Sequence, residues 1–134
     1  MSKTYNLTKM LGKNNSESYD NSDIKSIKCK TETSEYNILK YDKSKITNDN
    51  VHSLGLMRSV IIKDGDILGF SPPKSISIGE FKLNNPDTQT CFAEEFIEGT
   101  MINLFYDKST DDWEISTKSN VGGRNVFFRE GEIL

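Results

Sequence analysis

Four short stretches of the chain set a charged residue against an apolar run, and chemistry would have to reside there. In order they are Arg58-Ser59-Val60-Ile61-Ile62, Phe70-Ser71-Pro72-Pro73-Lys74-Ser75-Ile76, Phe96-Ile97-Glu98-Gly99-Thr100-Met101-Ile102 and Trp113-Glu114-Ile115-Ser116-Thr117-Lys118-Ser119. Guanidinium and ammonium groups such as those of Arg58, Lys74 and Lys118 can meet phosphates through charge-assisted hydrogen bonds. Each also has a plainer reading when taken alone. Arg58 reads as a surface charge on a strand, Lys74 as a solvated loop end after two prolines, and Lys118 as a solvated strand residue. Glu98, with Glu94 and Glu95 close by, reads as the residue before a tight turn. The other reactive side chains offer less. His52, the only histidine, falls in a polar turn and is a poor candidate for a general base. Asp111-Asp112 reads as a solvated turn rather than a metal site. Cys29 and Cys91 are far apart, lack metal-type spacing, and read as free thiols of a reducing compartment.

The elements that would position these residues are mostly strands. Short apolar runs at 36–41, 57–62, 67–70, 91–97, 100–106 and 113–118 predict strands, and no sustained helical period appears. Asp64-Gly65 between two of these runs is the strongest hairpin signal in the chain. Pro72-Pro73 stops the strand before it, because proline donates no ladder hydrogen bond. Asp42 to Ser53 is polar and turn-rich, with room for one helical turn. Residues 1–33 hold few large apolar side chains and read as a flexible polar arm, since they bury too little surface to offset the entropy of ordering. The ordered domain is then expected over residues 34–134. The net charge of -3 excludes the bulk basic excess of a nonspecific nucleic-acid binder. No apolar run approaches the roughly 20 residues of a membrane span, and the N-terminus lacks a signal-peptide core, so a cytoplasmic location without membrane partners is expected.

The order and spacing of the four stretches resemble the ATP-dependent RNA ligases of the phage type, within the covalent nucleotidyltransferase superfamily. Those proteins begin with a Tyr-rich strand, which Tyr36 to Tyr41 matches. An Arg-Gly-hydrophobic strand follows, then a Pro-rich stretch ending in Lys-Phe-Phe-Asn. The signature Lys-x-Asp-Gly-Ser-Leu comes next, and after it a strand ending in Ser-Lys or Thr-Arg. The resemblance covers roughly residues 36–123. It implies a lysine that attacks the α-phosphorus of ATP to form lysyl-AMP, with Mg2+ and basic side chains neutralising the phosphates as pyrophosphate leaves. The AMP then passes to an RNA 5′-phosphate and is displaced by a 3′-hydroxyl.

Carried over to this chain, Arg58 matches the arginine of the Arg-Gly strand, with Ser59 in place of the glycine. Lys74 matches the lysine after the Pro-rich stretch, Glu98-Gly99 the Asp-Gly of the signature, and Lys118 the basic residue of the following strand. The nucleophile position is Phe96, and a phenyl ring forms no phosphoamide. The resemblance therefore implies a truncated or degenerate RNA ligase-like protein whose ATP or RNA 5′-end pocket is built from Arg58, Lys74, Glu98 and Lys118. ATP and Mg2+ are implied by the resemblance alone. The fold implied is α+β, the β-rich antiparallel N-terminal half of a nucleotidyltransferase domain, whose later motifs would lie beyond residue 134. Such a half leaves apolar surface uncovered, so self-association or a missing C-terminal half is the expected partner. Two other readings stand beside this one: a non-catalytic scaffold that keeps only the fold, and a strand-rich interaction domain without ligase ancestry.

Overall fold

Side chains alternate between the two faces of a strand, and in the middle of this chain both faces are apolar. Tyr36 and Ile38 point one way from their strand while Leu39 and Tyr41 point the other, and Val60-Ile61-Ile62 is buried throughout. A strand buried on both faces must be covered twice, and that requirement organises the molecule. The computed structural model describes residues 22–123 and the paired backbones of Phe128–Arg129 and Glu132–Ile133.

The central sheet is an antiparallel meander of β1 (Ile24–Lys30), β2 (Glu35–Tyr41), β3 (Val60–Lys63) and β4 (Asp66–Phe70), in that spatial order. Between β3 and β4, Asp64 and Gly65 both take positive φ (51° and 87°), so the expected Asp-Gly hairpin is present as a two-residue turn closing Lys63 onto Asp66. One face of the sheet packs Ile24, Leu39, Tyr41, Val60 and Ile62 against Leu54 and Met57, which belong to a single helical turn, α1 (Val51–Leu54), and the turn after it. The other face packs Tyr36, Ile38, Ile61 and Cys29 against Phe105 and Val121. Phe105 lies on a second, separate hairpin of β5 (Asn103–Asp107) and β6 (Asp112–Ser116). The connection between the two sheets carries α2 (Ile78–Asn84), capped by Ser77, whose hydroxyl accepts from the Glu80 N–H at 3.1 Å. The short strands β7 (Phe128–Arg129) and β8 (Glu132–Ile133) form a third antiparallel pair.

The fold is thus mixed α/β with mostly antiparallel strands and few helices. It departs from the sequence expectations in three places. Residues 1–21 of the expected polar arm lie outside the described residues, but Ile24–Lys30 within that arm is a full strand, paired along its length with β2. Its apolar residues are only Ile24, Ile27 and Cys29, because it is an edge strand whose lysines stand at the open side. The strand expected at 91–97 is absent. A strand exists only through a partner, and this segment has none among the described residues, leaving Phe92, Phe96 and Ile97 exposed. The strand expected at 57–62 begins only at Val60, since Gly55 to Ser59 form a turn held by the Met57 N–H to the Leu54 carbonyl. No helix among the described residues is long and apolar enough to cross a membrane.

Candidate functional site

The two covers of the sheet bring distant charges together in two places. In the first, Lys63 at the end of β3 meets Asp107 at the end of β5, with Nζ–Oδ2 at 2.6 Å and both side chains largely removed from solvent. Tyr36 donates to the same carboxylate oxygen at 2.8 Å, and Ser109 donates to Oδ1 through its N–H (2.9 Å) and hydroxyl (2.8 Å). Lys63 also donates to Ser34 (2.7 Å) and Ser109, and its ammonium stands 5.2 Å from the Tyr36 ring centroid. Burial by itself would raise the Asp107 carboxyl. The hydrogen bonds from Lys63, Tyr36 and Ser109 outweigh it and hold the group well below the usual carboxylate range. Burial, followed by the Asp107 carboxylate, pushes the Tyr36 phenol up to about 12. Every ionised group in this cluster has a partner, as a buried ion pair requires. It clamps the β5–β6 hairpin to the sheet, and Phe105 adds an edge-to-face contact to Tyr36 at 5.7 Å.

The second place is different in kind. After β6 the chain turns at Thr117–Asn120, closed by the Thr117 N–H to the Asn120 carbonyl. This turn lies against β1 and β2: Lys40 donates to the Ser119 hydroxyl at 2.7 Å, and the Cys29 thiol reaches the Ser119 carbonyl. Lys118, half-buried in the turn, has Arg58, Lys40 and Lys43 as its charged neighbours. Its ammonium is lowered below the ordinary lysine range by burial first, then by those three cations. Asp42, the carboxylate beside Lys43 in the chain, is already engaged. It takes an ion pair from Lys25 at 2.8 Å and caps the Ser44 N–H and hydroxyl at 3.0 and 2.9 Å. Arg58, Lys43 and Lys118 have no carboxylate partner among the described residues.

Of the four residues singled out by sequence, Arg58 and Lys118 are near enough for the Arg58 charge to help lower the Lys118 ammonium. Lys74 is held elsewhere: its N–H donates to the Gly55 carbonyl at 3.0 Å, three residues before Arg58, and its ammonium bends back to the Ser75 carbonyl. Glu98 is exposed in the unpaired 91–102 segment, and no hydrogen bond or ion pair ties it to the other three. Phe96, at the position of the resemblance's nucleophile, is 79% exposed. Sequence reasoning missed Lys40 and Lys43. Their signal was present in the Lys40-Tyr41-Asp42-Lys43 spacing at the end of a strand, but nothing local says that a turn seventy-odd residues onward returns to it. His52 serves as a strut, bonded to Glu80 (3.2 Å) and Asn84 (3.3 Å) of α2.

Beside the cation cluster runs a polar seam between sheet and hairpin. Asn103 donates to the Ser71 hydroxyl at 3.1 Å and to that of Ser116 at 3.4 Å, while the buried Ser59 hydroxyl, adjacent to Arg58, has no partner among the described residues. A groove of about 410 Å³ opens at the C-terminal end of β1, lined by Lys30, Thr31, Glu32, Asp112, Glu114 and Asn120 among others. Its carboxylates make it the wrong sign for a phosphate, and none of the four candidate residues lines it. Among the described residues no group of three or more His, Cys, Asp or Glu side chains is placed to hold a metal ion. Comparison with protein-family models, curated proteins and solved structures finds no match to this chain.

Proposed function

We propose that this chain is a degenerate RNA ligase-like nucleotidyltransferase-family protein that binds the phosphates of ATP or of an RNA 5′ end without completing the chemistry. The observation that carries this reading is half-buried Lys118, whose turn is held by Lys40 at Ser119 (2.7 Å) and whose ammonium is lowered by burial and by the charges of Arg58, Lys40 and Lys43. Like charges gathered beside a half-buried lysine repel one another, and an anionic ligand relieves that repulsion. Arg58 supplies a planar fork suited to a phosphate, and the lysines supply point charges around it. ATP fits this donor set. Mg2+ accompanying ATP would be held chiefly by the phosphates and water, which requires no group of three carboxylates on the protein. When the metal accompanies ATP in the resembling ligases, it neutralises the leaving pyrophosphate.

Phe96 supports the non-catalytic half of the reading. It has no amine, and it sits exposed on a segment without strand pairing. The alternative, a scaffold that keeps the fold and binds no phosphate, draws support from the separate position of Glu98. Equilibrium binding of ATP and of matched 5′-phosphorylated and 5′-hydroxyl RNA oligonucleotides separates the two. Phosphate-dependent binding that weakens with salt is expected, together with no protein–AMP adduct after incubation with labelled ATP and magnesium. Equal binding of the 5′-hydroxyl oligonucleotide and no binding of ATP would leave the scaffold reading; a labelled adduct would overturn the non-catalytic one.

A further inference from the structure

Lys118 sits in a turn that is tied down on each side of it. The Thr117 N–H donates to the Asn120 carbonyl at 2.8 Å, and the Ser119 hydroxyl accepts from Lys40 at 2.7 Å. Lys40 in turn has fixed neighbours. Leu39 pairs with Val60, and the Tyr41 N–H donates to the Met57 carbonyl at 2.7 Å. Between these two ties, Lys40 on one strand runs beside Arg58 and Ser59 on the other. Lys43 opens the turn Lys43–Lys45 that follows β2. An amine is thereby set near a guanidinium and two other ammonium groups, and the ion pairs among the described residues leave Arg58, Lys43 and Lys118 without a carboxylate.

We propose that Lys118 is an acyl-acceptor site for small acyl phosphates: the neighbouring cations hold the phosphate, and the Lys118 amine takes the acyl group. The inference rests on the phosphate-binding reading and adds a covalent step to it. Two requirements of that step meet at this position. The amine must be neutral to attack. Burial first, and then the charges of Arg58, Lys40 and Lys43, hold the Lys118 ammonium below the ordinary lysine range, which enlarges its neutral fraction at a given pH. The electrophile must also be held beside it, and a phosphate is the group that a guanidinium and two ammonium groups gather. In the step the Nζ lone pair forms a bond to the acyl carbon. The bond from that carbon to the phosphate oxygen breaks, and its electron pair leaves with inorganic phosphate. The amine proton passes to the phosphate or to water, and an amide remains. The acyl phosphate is the only co-reactant. The product has lost one positive charge, so each acylation weakens the site for the next anion.

Acetyl phosphate is the probe. The full chain is incubated with it, and acetylation of each lysine is followed over time by peptide mass spectrometry, with the exposed Lys82 and Lys108 as internal references. A parallel series uses an uncharged acetyl ester of N-hydroxysuccinimide, and ATP binding is measured on the same preparations. With acetyl phosphate, Lys118 is expected to react several-fold faster than both references. Excess inorganic phosphate should remove that preference, Arg58→Ala and Lys43→Ala should each reduce it, and the uncharged ester should show less of it. Amide exchange over β2 and β3 verifies that each variant keeps its core. If ATP binds and Lys118 reacts no faster than the references, the acyl-acceptor proposal is overturned and the phosphate site stands. A preference of equal size with the uncharged ester, unmoved by phosphate, would also overturn it, because burial alone would then explain the reactivity. Loss of ATP binding as well as of any phosphate effect would remove the phosphate site along with it.

Discussion

Two charged clusters in this molecule behave in opposite ways. Around Lys63, each charge is matched: a carboxylate at 2.6 Å, a phenol and two serine hydroxyls complete the arrangement. Around Lys118, cations neighbour cations, and the carboxylate at Asp42 is already engaged by Lys25. The first cluster is finished by folding and the second is not. Charges that hold a structure carry their counter-charges with them, whereas charges kept unmatched at some cost to the fold point to something that arrives later.

The comparison breaks most visibly at Asp107. Removing Lys63 as Lys63→Met should cost about 3–5 kcal/mol in denaturant unfolding, because it leaves a buried carboxylate unpaired. The double variant Lys63→Met/Asp107→Leu should recover most of that loss. An equal loss in the double variant would mean that the pair contributes more than its own neutralisation. At the second cluster the pattern inverts. Lys118→Ala and Arg58→Ala should each weaken ATP or 5′-phosphate binding about tenfold or more, the effect of one charge-assisted hydrogen bond. Both should leave unfolding within about 0.5 kcal/mol of the unmodified chain, or slightly more stable as repulsion is relieved.

Changes of pH sharpen the same contrast. The folded pKa of Asp107 is depressed, so its contribution is complete above the unfolded carboxylate range, near about 4, and is lost as pH falls below it. The folded pKa of Tyr36 is raised, so stability should decline as pH rises from the unfolded value near 10 toward about 12. Tyr36→Phe should abolish that alkaline limb; its persistence would place the titration elsewhere. The smallest effect belongs to the seam between the clusters. Ser59→Ala removes a buried hydroxyl that has no protein partner, and should be neutral or stabilising by about 1 kcal/mol in the same unfolding measurement.

Parts of this were legible in the sequence because they are local. Asp64-Gly65 specifies its turn through two positive φ angles, and the Tyr36–Tyr41 run carries its own alternation. The β5–β6 hairpin was half legible: strand types were readable, but the start moved from 100 to Asn103 because pairing, not composition, sets where a ladder begins. β1 was hidden by the lysines that protect its edge. The segment at 91–97 misled in the other direction, offering Phe and Ile without a neighbouring strand to pair with. The charge clusters were least legible. Lys63 finds Asp107 across 44 residues and Lys40 finds Ser119 across 79, distances over which sequence pattern carries no information.

The separation of Tyr36 from Asp107, 71 residues apart in the chain, also bears on the order in which the parts can assemble. Each strand of the meander pairs with its sequence neighbour, so the four-stranded sheet closes only short loops. The hairpin must come home across the whole connection from Ser71 to Ile102, and its contacts can be made only once the sheet offers a surface. The clamp at Asp107 is therefore a late fastening. Its loss should hasten opening of the molecule far more than it slows closing, and the lifetime of the native state rests on it.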